Sequence, residues 1–373
     1  MTPIRVAVIG AGAFGRNHLR VYRELELAHP NLVQLAALVE PDEGRRHEYA
    51  TLYNIPAFAS VDDFLASPNT AESTTTPGAL GPSHLGIRAS TTPNARAHAA
   101  SICVPTIHHA TVAEQLLHAG LDLLIEKPFA ASLAEADRIL ELANYLNRIV
   151  AIGHLERFNP AVTAVAERLN NPMFFEAHRL SIFTPRSLDV DVVLDLMIHD
   201  LDIVLSLTNS PVREVRAVGL AILSKKVDIA NVRVEFESGC VANFTASRVS
   251  TEQVRKLRLF QPHQYLSLDF ARQELLSINV DPRAAALLSS LPPSSLAPLQ
   301  TPGEATHPSA GLNLQKLDLP RAEPLRLELE DFLHAVATRT EPRVPAEAGR
   351  AALSLALEIN SEIARHSHRA GLA

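Results

Sequence analysis

A β-branched run, Ile4 to Ile9, passes directly into Gly10-Ala11-Gly12-Ala13-Phe14-Gly15 and then into a helical period from Arg16 to Leu27. Strand, glycine turn and helix in immediate succession leave few folds open. In that context Gly10 permits the tight turn, Gly12 lets the backbone approach a pyrophosphate and Gly15 lets helix and strand pack closely, while the helix N-terminus attracts the anion. A second strand, Leu32 to Val39, ends in Glu40. A carboxylate there can accept hydrogen bonds from ribose hydroxyls and repel a 2′-phosphate, which favours NAD over NADP. Arg45 and Arg46 oppose that preference, and the plainer alternative for Glu40 is a solvated loop carboxylate.

At 373 residues and 47% apolar, the chain is long enough for two cores. A net charge of −7 argues against nucleic acid or an anionic membrane as the main partner. Cys103 and Cys240 show no CxxC spacing, so neither a disulfide framework nor a zinc knuckle is expected. The first residues carry no apolar signal core and no apolar run reaches membrane-spanning length, so a cytoplasmic location is expected.

Strand and helix signals then alternate. Helix Arg45 to Tyr53, strand Pro56 to Ala59 and a short helix from Asp62 to Ala66 precede a Ser-, Thr- and Pro-rich stretch. That stretch, residues 67–98, has no apolar period and is expected to be a disordered insertion. Strand Ala100 to Val104, helix Thr111 to His118, strand Leu121 to Ile125, helix Leu133 to Leu146 and strand Ile149 to His154 follow. Repeated strand-helix units predict a parallel doubly wound sheet with ligands at the carboxyl ends of its strands, where Glu126 and Lys127 fall. A lysine there can act as a fixed cation or carry a lowered pKa. Beyond residue 157, strand-like alternation from Phe174 to Phe270, with hairpin turns at Glu237-Ser238-Gly239 and Pro262-His263, predicts a mostly antiparallel sheet. Pro282 to Pro320 reads as loop, and helices from Leu325 and Ala346 close the chain. The expectation is an α/β chain with a Rossmann domain at 1–157 and an α+β domain with an open sheet at 158–373.

Within the second domain, Val190 to Leu207 is an almost wholly apolar helical run that carries Asp195, His199 and Asp202 at turn spacing. Burying such groups without partners costs several kcal/mol, so the stripe either lines a cavity or forms an internally satisfied Asp-His pair. No third ligand is evident for a metal.

These residues together resemble the glucose-fructose oxidoreductase, inositol dehydrogenase and rhizopine-catabolism family. The resemblance rests on the turn at Gly10 to Gly15, Pro105-Thr106 with His109, Glu126-Lys127-Pro128 and Asp195-x-x-x-His199, in that order along nearly the whole chain. It implies oxidation of a sugar-like alcohol with NAD as cofactor, with Lys127, Asp195 and His199 as the catalytic set. Cofactor contacts are expected from Gly10, Gly12, Ala13, Phe14, Gly15, Glu40, Pro105, Thr106, His109, Glu126 and Lys127. Gly153-His-Leu-Glu-Arg-Phe-Asn-Pro160 and Arg186 through Asp200 look like the branch that oxidises the 3-hydroxyl of UDP-N-acetylglucosamine or its uronic acid relative, for lipopolysaccharide sugars. A diphosphate needs local cations, and Arg157, Arg179, Arg186 and Arg248, with Asn159, are the candidates. Each of these arginines could equally be an ordinary surface or sheet-face residue. The open sheet face is expected to join copies of the chain. An inositol or free-sugar dehydrogenase and a nonenzymatic NAD sensor are the competing readings; the sensor would more naturally lack one of the three catalytic residues.

Overall fold

In the computed structural model the described residues are 2–67, 97–183, 190–280 and 312–371. The expected insertion at 67–98 lies, apart from its ends, outside them, and so does Arg186.

The first unit comprises Met1–Gly153 and Leu325–Arg350. It contains β1 (Ile4–Ile9), α1 (Gly15–Ala28), β2 (Val33–Val39), α2 (Glu43–Tyr53), β3 (Ala57–Phe58), α3 (Val61–Ala66), β4 (Ala99–Ile102), α4 (His109–His118), β5 (Asp122–Glu126), α5 (Leu133–Tyr145) and β6 (Val150–Gly153). The strands are all parallel in the order β3-β2-β1-β4-β5-β6, so the order reverses between β1 and β4. Such a switch point is where open parallel sheets bind ligands. Side chains set the helix starts: Asp42 accepts from the Arg45 N–H at α2, Ser60 from Asp63 at α3, and Ser132 with Glu135 closes a capping box at α5.

The second unit comprises His154–Pro324 and Ala351–Ala373. It holds α6 (Pro160–Ala166), β7 (Phe174–Ile182), a π-helical turn (Val193–Met197) continuing into α7 (Ile198–Thr208), β8 (Val212–Leu220), β9 (Ile229–Phe236), β10 (Val241–Ser250), β11 (Val254–Gln261), β12 (Gln264–Asp269), β13 (Glu274–Val280) and β14 (Leu312–Leu317). The sheet runs β14-β13-β12-β11-β7-β10-β9-β8, and only the β7/β10 pair is parallel. Alternate residues of the strands, among them Phe175, Ala177, Val232, Val234, Leu257 and Leu259, pack with Ala161 and Val165 of α6 and Ile198 and Leu201 of α7. Strand alternation therefore puts one face into the core and leaves the other polar and aromatic.

Residues 154–157, expected in the first domain, belong to the second unit. The helix α8 (Pro324–Thr338) belongs, from Leu325 on, to the first, because Leu325, Leu329, Phe332, Leu333 and Val336 bury their stripe among Val6, Val8, Leu35 and Leu124. The closing helix α9 (Ala346–Arg369) sends Leu355, Ile359 and Ile363 into the second core. The stretch 282–320, expected to be loop, contains β14, and β13 before it was not anticipated, because runs of six or seven residues carry too little alternation to stand out. No helix among the described residues is long and apolar enough to cross a membrane.

A buried carboxylate knots the start of β9. Asp228, fully buried, accepts from the backbone N–H groups of Ile222, Leu223 and Ser224 at 2.6–2.8 Å and from the Ser224 hydroxyl at 2.7 Å. Burial works to raise its pKa, but these bonds prevail and bring it from 3.8 down to about 2. A depressed carboxylate pKa contributes stability above the unfolded value and loses it as pH falls through the folded one. The contribution is about 2 kcal/mol at neutral pH. Asp228→Asn should therefore lower the urea midpoint at neutral pH, and the gap to the parent should close as pH falls from about 4 to 2. A gap that stays constant over that range would disprove the assignment.

Candidate functional site

The geometry of the glycine turn explains each glycine separately. Gly10 has φ +95°, and a Cβ there would lie 2.8 Å from the Cys103 carbonyl oxygen. At Gly15 a Cβ would lie 1.9 Å from the Gly10 carbonyl oxygen, so α1 can pack on the turn only through hydrogen. A Cβ at Gly12 would meet nothing within 4 Å, which leaves that side of the turn open. Ala13 and Phe14 are exposed beside it, and no side chain caps the N-terminus of α1. An open, uncapped helix start at the switch point fits the pyrophosphate of a dinucleotide.

Glu40 is buried at the end of β2 and is no solvated loop residue. Its Oε2 accepts from the Ala11 N–H at 2.7 Å, and its Oε1 accepts from the Asp42 N–H at 2.9 Å and from Arg45 at 3.0 Å. The carboxylate thus ties the glycine turn to the residues after β2. Arg46 donates to the Glu40 and Pro41 carbonyls at 2.8 and 2.9 Å, so its cation is held at the same strand end.

At the ends of β4 and β5, Pro105 is exposed, Thr106 and Lys127 are half-buried, and His109 and Glu126 are buried. His109 was expected at the cofactor. Its Nδ1 instead lies 2.9 Å from the Pro128 carbonyl and its Nε2 2.9 Å from the Val104 carbonyl, so the ring braces the two loops. Burial lowers its pKa, with the carbonyls of Val104, Phe129 and Pro128 acting in the opposite sense. Glu126, another expected cofactor contact, pairs with His18 Nε2 at 2.9 Å, and a Cβ on Gly153 would press on its carboxylate at 2.9 Å. Sequence reasoning missed His18; its place one turn into α1, beside Gly15, was the available signal.

In the second unit Asp195 sits in the π turn and His199 in the first turn of α7, both half-buried. Asp191 fixes the start by accepting from the Val193 and Leu194 N–H groups at 2.9 and 3.0 Å, and Asn360 of α9 holds its other oxygen at 3.0 Å. A π turn widens the helix and changes which side chains share a face. The expected single α-helix with three groups in one stripe is therefore corrected: Asp202 is buried and pairs with Arg157 at 3.2 Å. The half-buried Asp195 and His199 are the members left toward the surface of the stripe. His199 meets the buried ring of His154 edge to face, with centroids 6.3 Å apart at 88°.

The cations proposed for a diphosphate are mostly committed elsewhere. Arg179 is buried, donates to both Asp200 oxygens at 2.8 Å and to Glu156 at 3.2 Å, and lies over the Phe270 ring at 5.0 Å. Burial works against both charges; it raises the Asp200 carboxyl, while the two carboxylates keep the guanidinium charged. Asn159 is buried as the cap of α6, its Oδ1 accepting from Ala161 and its Nδ2 donating to the Phe270 carbonyl. Arg248 is buried and donates to the Val190 carbonyl, which sets the approach to the π turn. Arg179 and Asn159 are thus structural in this unit, and Arg157, though paired with Asp202, is the partly exposed cation among the described candidates. Sequence reasoning missed Glu156 and Asp200, because nothing in a sequence distinguishes a buried acid with a distant partner from an exposed one.

Two family models match the chain: an oxidoreductase family with an NAD-binding Rossmann fold over residues 4–154, and the GFO/IDH/MocA C-terminal domain over residues 162–261. The chain is 34% identical over 360 residues to a UDP-N-acetylglucosamine 3-dehydrogenase of Acidithiobacillus ferrooxidans, covering 96% of this chain and 97% of that one. It is 30% identical over 220 residues to an inositol 2-dehydrogenase of Leifsonia xyli, covering 57% and 56%. The solved structure of the Acidithiobacillus ferrooxidans UDP-N-acetylglucosamine 3-dehydrogenase superposes with a TM-score of 0.77 at 32% identity, over 97% of this chain and 98% of that one.

Proposed function

Because the chain belongs to the GFO/IDH/MocA oxidoreductase family, whose amino-terminal module is an NAD-binding Rossmann fold, we propose that it oxidises the 3-hydroxyl of UDP-N-acetylglucosamine or a close UDP-sugar. The observation that carries this reading is end-to-end similarity to a UDP-N-acetylglucosamine 3-dehydrogenase, against similarity over little more than half the chain to an inositol dehydrogenase. Bound NAD supplies the hydride acceptor. Gly10, Gly12 and Gly15 hold its pyrophosphate at the head of α1, and Glu40 opposes a 2′-phosphate. His199 takes the proton of the sugar hydroxyl, Asp195 orients it and stabilises the imidazolium, and Lys127 hydrogen-bonds the oxygen as negative charge develops. Arg157 is the candidate for a phosphate contact. The product would serve lipopolysaccharide sugar synthesis.

The test is a substrate panel. Purified protein is given NAD or NADP with UDP-sugars, inositol and free sugars, and NADH or NADPH absorbance is followed. UDP-N-acetylglucosamine with NAD should exceed every other combination by about tenfold or more in kcat/KM, the equivalent of ~1.4 kcal/mol. Turnover of inositol with none of the UDP-sugars would overturn the proposed substrate, and equal use of NADP would overturn the role of Glu40.

We also assign the uncovered sheet face to contact with a second copy of the chain. That face carries a groove of about 610 Å³ where Phe260, Tyr265, Ile278 and Val280 meet the Glu176–Arg258 ion pair, and the rings of Phe174, Phe260 and Tyr265 pack in tilted pairs at 5.5 and 4.9 Å. A partly exposed aromatic cluster rimmed by polar residues suits an interaction site. Light scattering should return more than one chain for the parent and a smaller mass for Phe260→Glu; a monomeric parent would refute the assignment.

A further inference from the structure

Two buried histidines flank Lys127 from opposite sides along the chain. His18, fully buried in the first turns of α1, sits between the rings of Phe14 and Tyr22 at 5.8 and 6.3 Å, and its Nε2 reaches the Glu126 carboxylate at 2.9 Å. Glu126 is the residue before Lys127. His109, at the first residue of α4, reaches the carbonyls of Pro128 and Phe129 at 2.9 and 3.3 Å, and these are the next two residues after it. Neither contact is a cap or part of a ladder, and both join segments far apart in sequence within the first unit.

Among the described residues Nδ1 of His18 is buried without a hydrogen-bond partner. The ring's hydrogen bond to the Glu126 carboxylate is therefore made through Nε2. A Cβ on Gly153 would lie 2.9 Å from the Glu126 carboxylate, so glycine at that position leaves the carboxylate its room. His109 holds the far side, where Phe129 and Ala130 are buried. Lys127, half-buried, lies between these two contacts, which hold the chain on either side of it.

We infer that His18 and His109 are positioning residues that bracket Lys127, holding the backbone from Glu126 to Phe129 so that the lysine amine is presented in one place. The inference rests on the proposed role of Lys127 in the reaction, but the bracket itself is a statement about the resting protein. A misplacement of about 1 Å at a catalytic group can cost on the order of 10²-fold in rate, so the effect should fall on kcat more than on KM.

The experiment uses the low lysine content. The chain has only five lysines, at 127, 225, 226, 256 and 316, so protein labelled with ¹³Cε-lysine gives a sparse spectrum. Lys127→Arg identifies the Lys127 resonance. In His18→Leu and His109→Leu that resonance should shift or split, and kcat should fall by about 10- to 100-fold with the NADH dissociation constant nearly unchanged. His18→Gln, whose amide can donate where Nε2 does, should restore both. Should either leucine variant fail to fold, Glu126→Gln loosens the same pair from the carboxylate side and should displace the resonance too. Folded variants in which the Lys127 resonance and kcat both match the parent would overturn the bracket. If Lys127→Ala itself keeps full activity, the role of Lys127 is wrong, while the resonance still decides the bracket.

Discussion

Replacing His199 by alanine should lower kcat by a factor on the order of 10²–10⁴ and leave NADH binding near normal, the usual loss on removing a general base. Lys127→Ala should cost a comparable factor, since the developing charge on the sugar oxygen then has no cation beside it. Asp195→Asn should cost less than His199→Ala, because the base remains while its orienting partner loses charge. The half-buried setting of both residues on the π turn and first turn of α7 supports this order, since neither is locked inside the core as Asp200 and Asp202 are. The readouts are steady-state kcat on the best substrate and NADH titration. A His199→Ala enzyme within a few-fold of the parent would move the base to Lys127.

The second large effect concerns stability. Arg179→Leu should strip the cation from two buried carboxylates, Asp200 and Glu156, and destabilise the second unit by about 3–5 kcal/mol, as removal of one partner from a buried pair does. Asp200→Asn should cost somewhat less, because Glu156 still faces the guanidinium. Replacing Arg179 and Asp200 together with leucines should recover part of the loss. Denaturation followed by a probe in the second unit measures all three, and an Arg179→Leu midpoint equal to the parent's would show that the network contributes little. The same network lies next to His199 in sequence, so Arg179→Leu should reduce activity along with stability.

How much of this was legible before any coordinates can be argued element by element. The Rossmann unit was legible in the sequence because its signals are local: a β-branched run, a glycine turn and a helical period occupy adjacent residues, and Gly10 and Gly15 have a steric reason visible in the turn. Hairpins β9/β10 and β11/β12 were legible for the same reason, through Gly239 and the Pro262-His263 pair. Membership of α8 was not, since an amphipathic stripe such as Leu325, Leu329 and Phe332 states that a helix must bury one face without stating against which sheet. The π turn was invisible because its residues, Val193 to Met197, have good helical character and differ from α-helix only in hydrogen-bond register.

The site divides in the same way. Gly10, Gly12, Gly15 and Glu40 were identified by spacing, and Glu40 proved buried rather than solvated. Arg179 was misread because a charged residue on an alternating strand looks alike whether it faces solvent or a buried carboxylate 21 residues away. His18 escaped because its partner, Glu126, lies 108 residues further on. Pairings of long separation are set by topology, and a pattern of neighbours does not contain them.

In the proposed reaction hydride leaves carbon 3 of a UDP-sugar for NAD. UDP-N-acetylglucosamine deuterated at carbon 3 tests this directly when the reduced cofactor is analysed by mass spectrometry. The NADH formed should carry the deuterium and should form more slowly than from the unlabelled sugar. NADH without deuterium, formed at the unlabelled rate, would show that the hydride comes from another position.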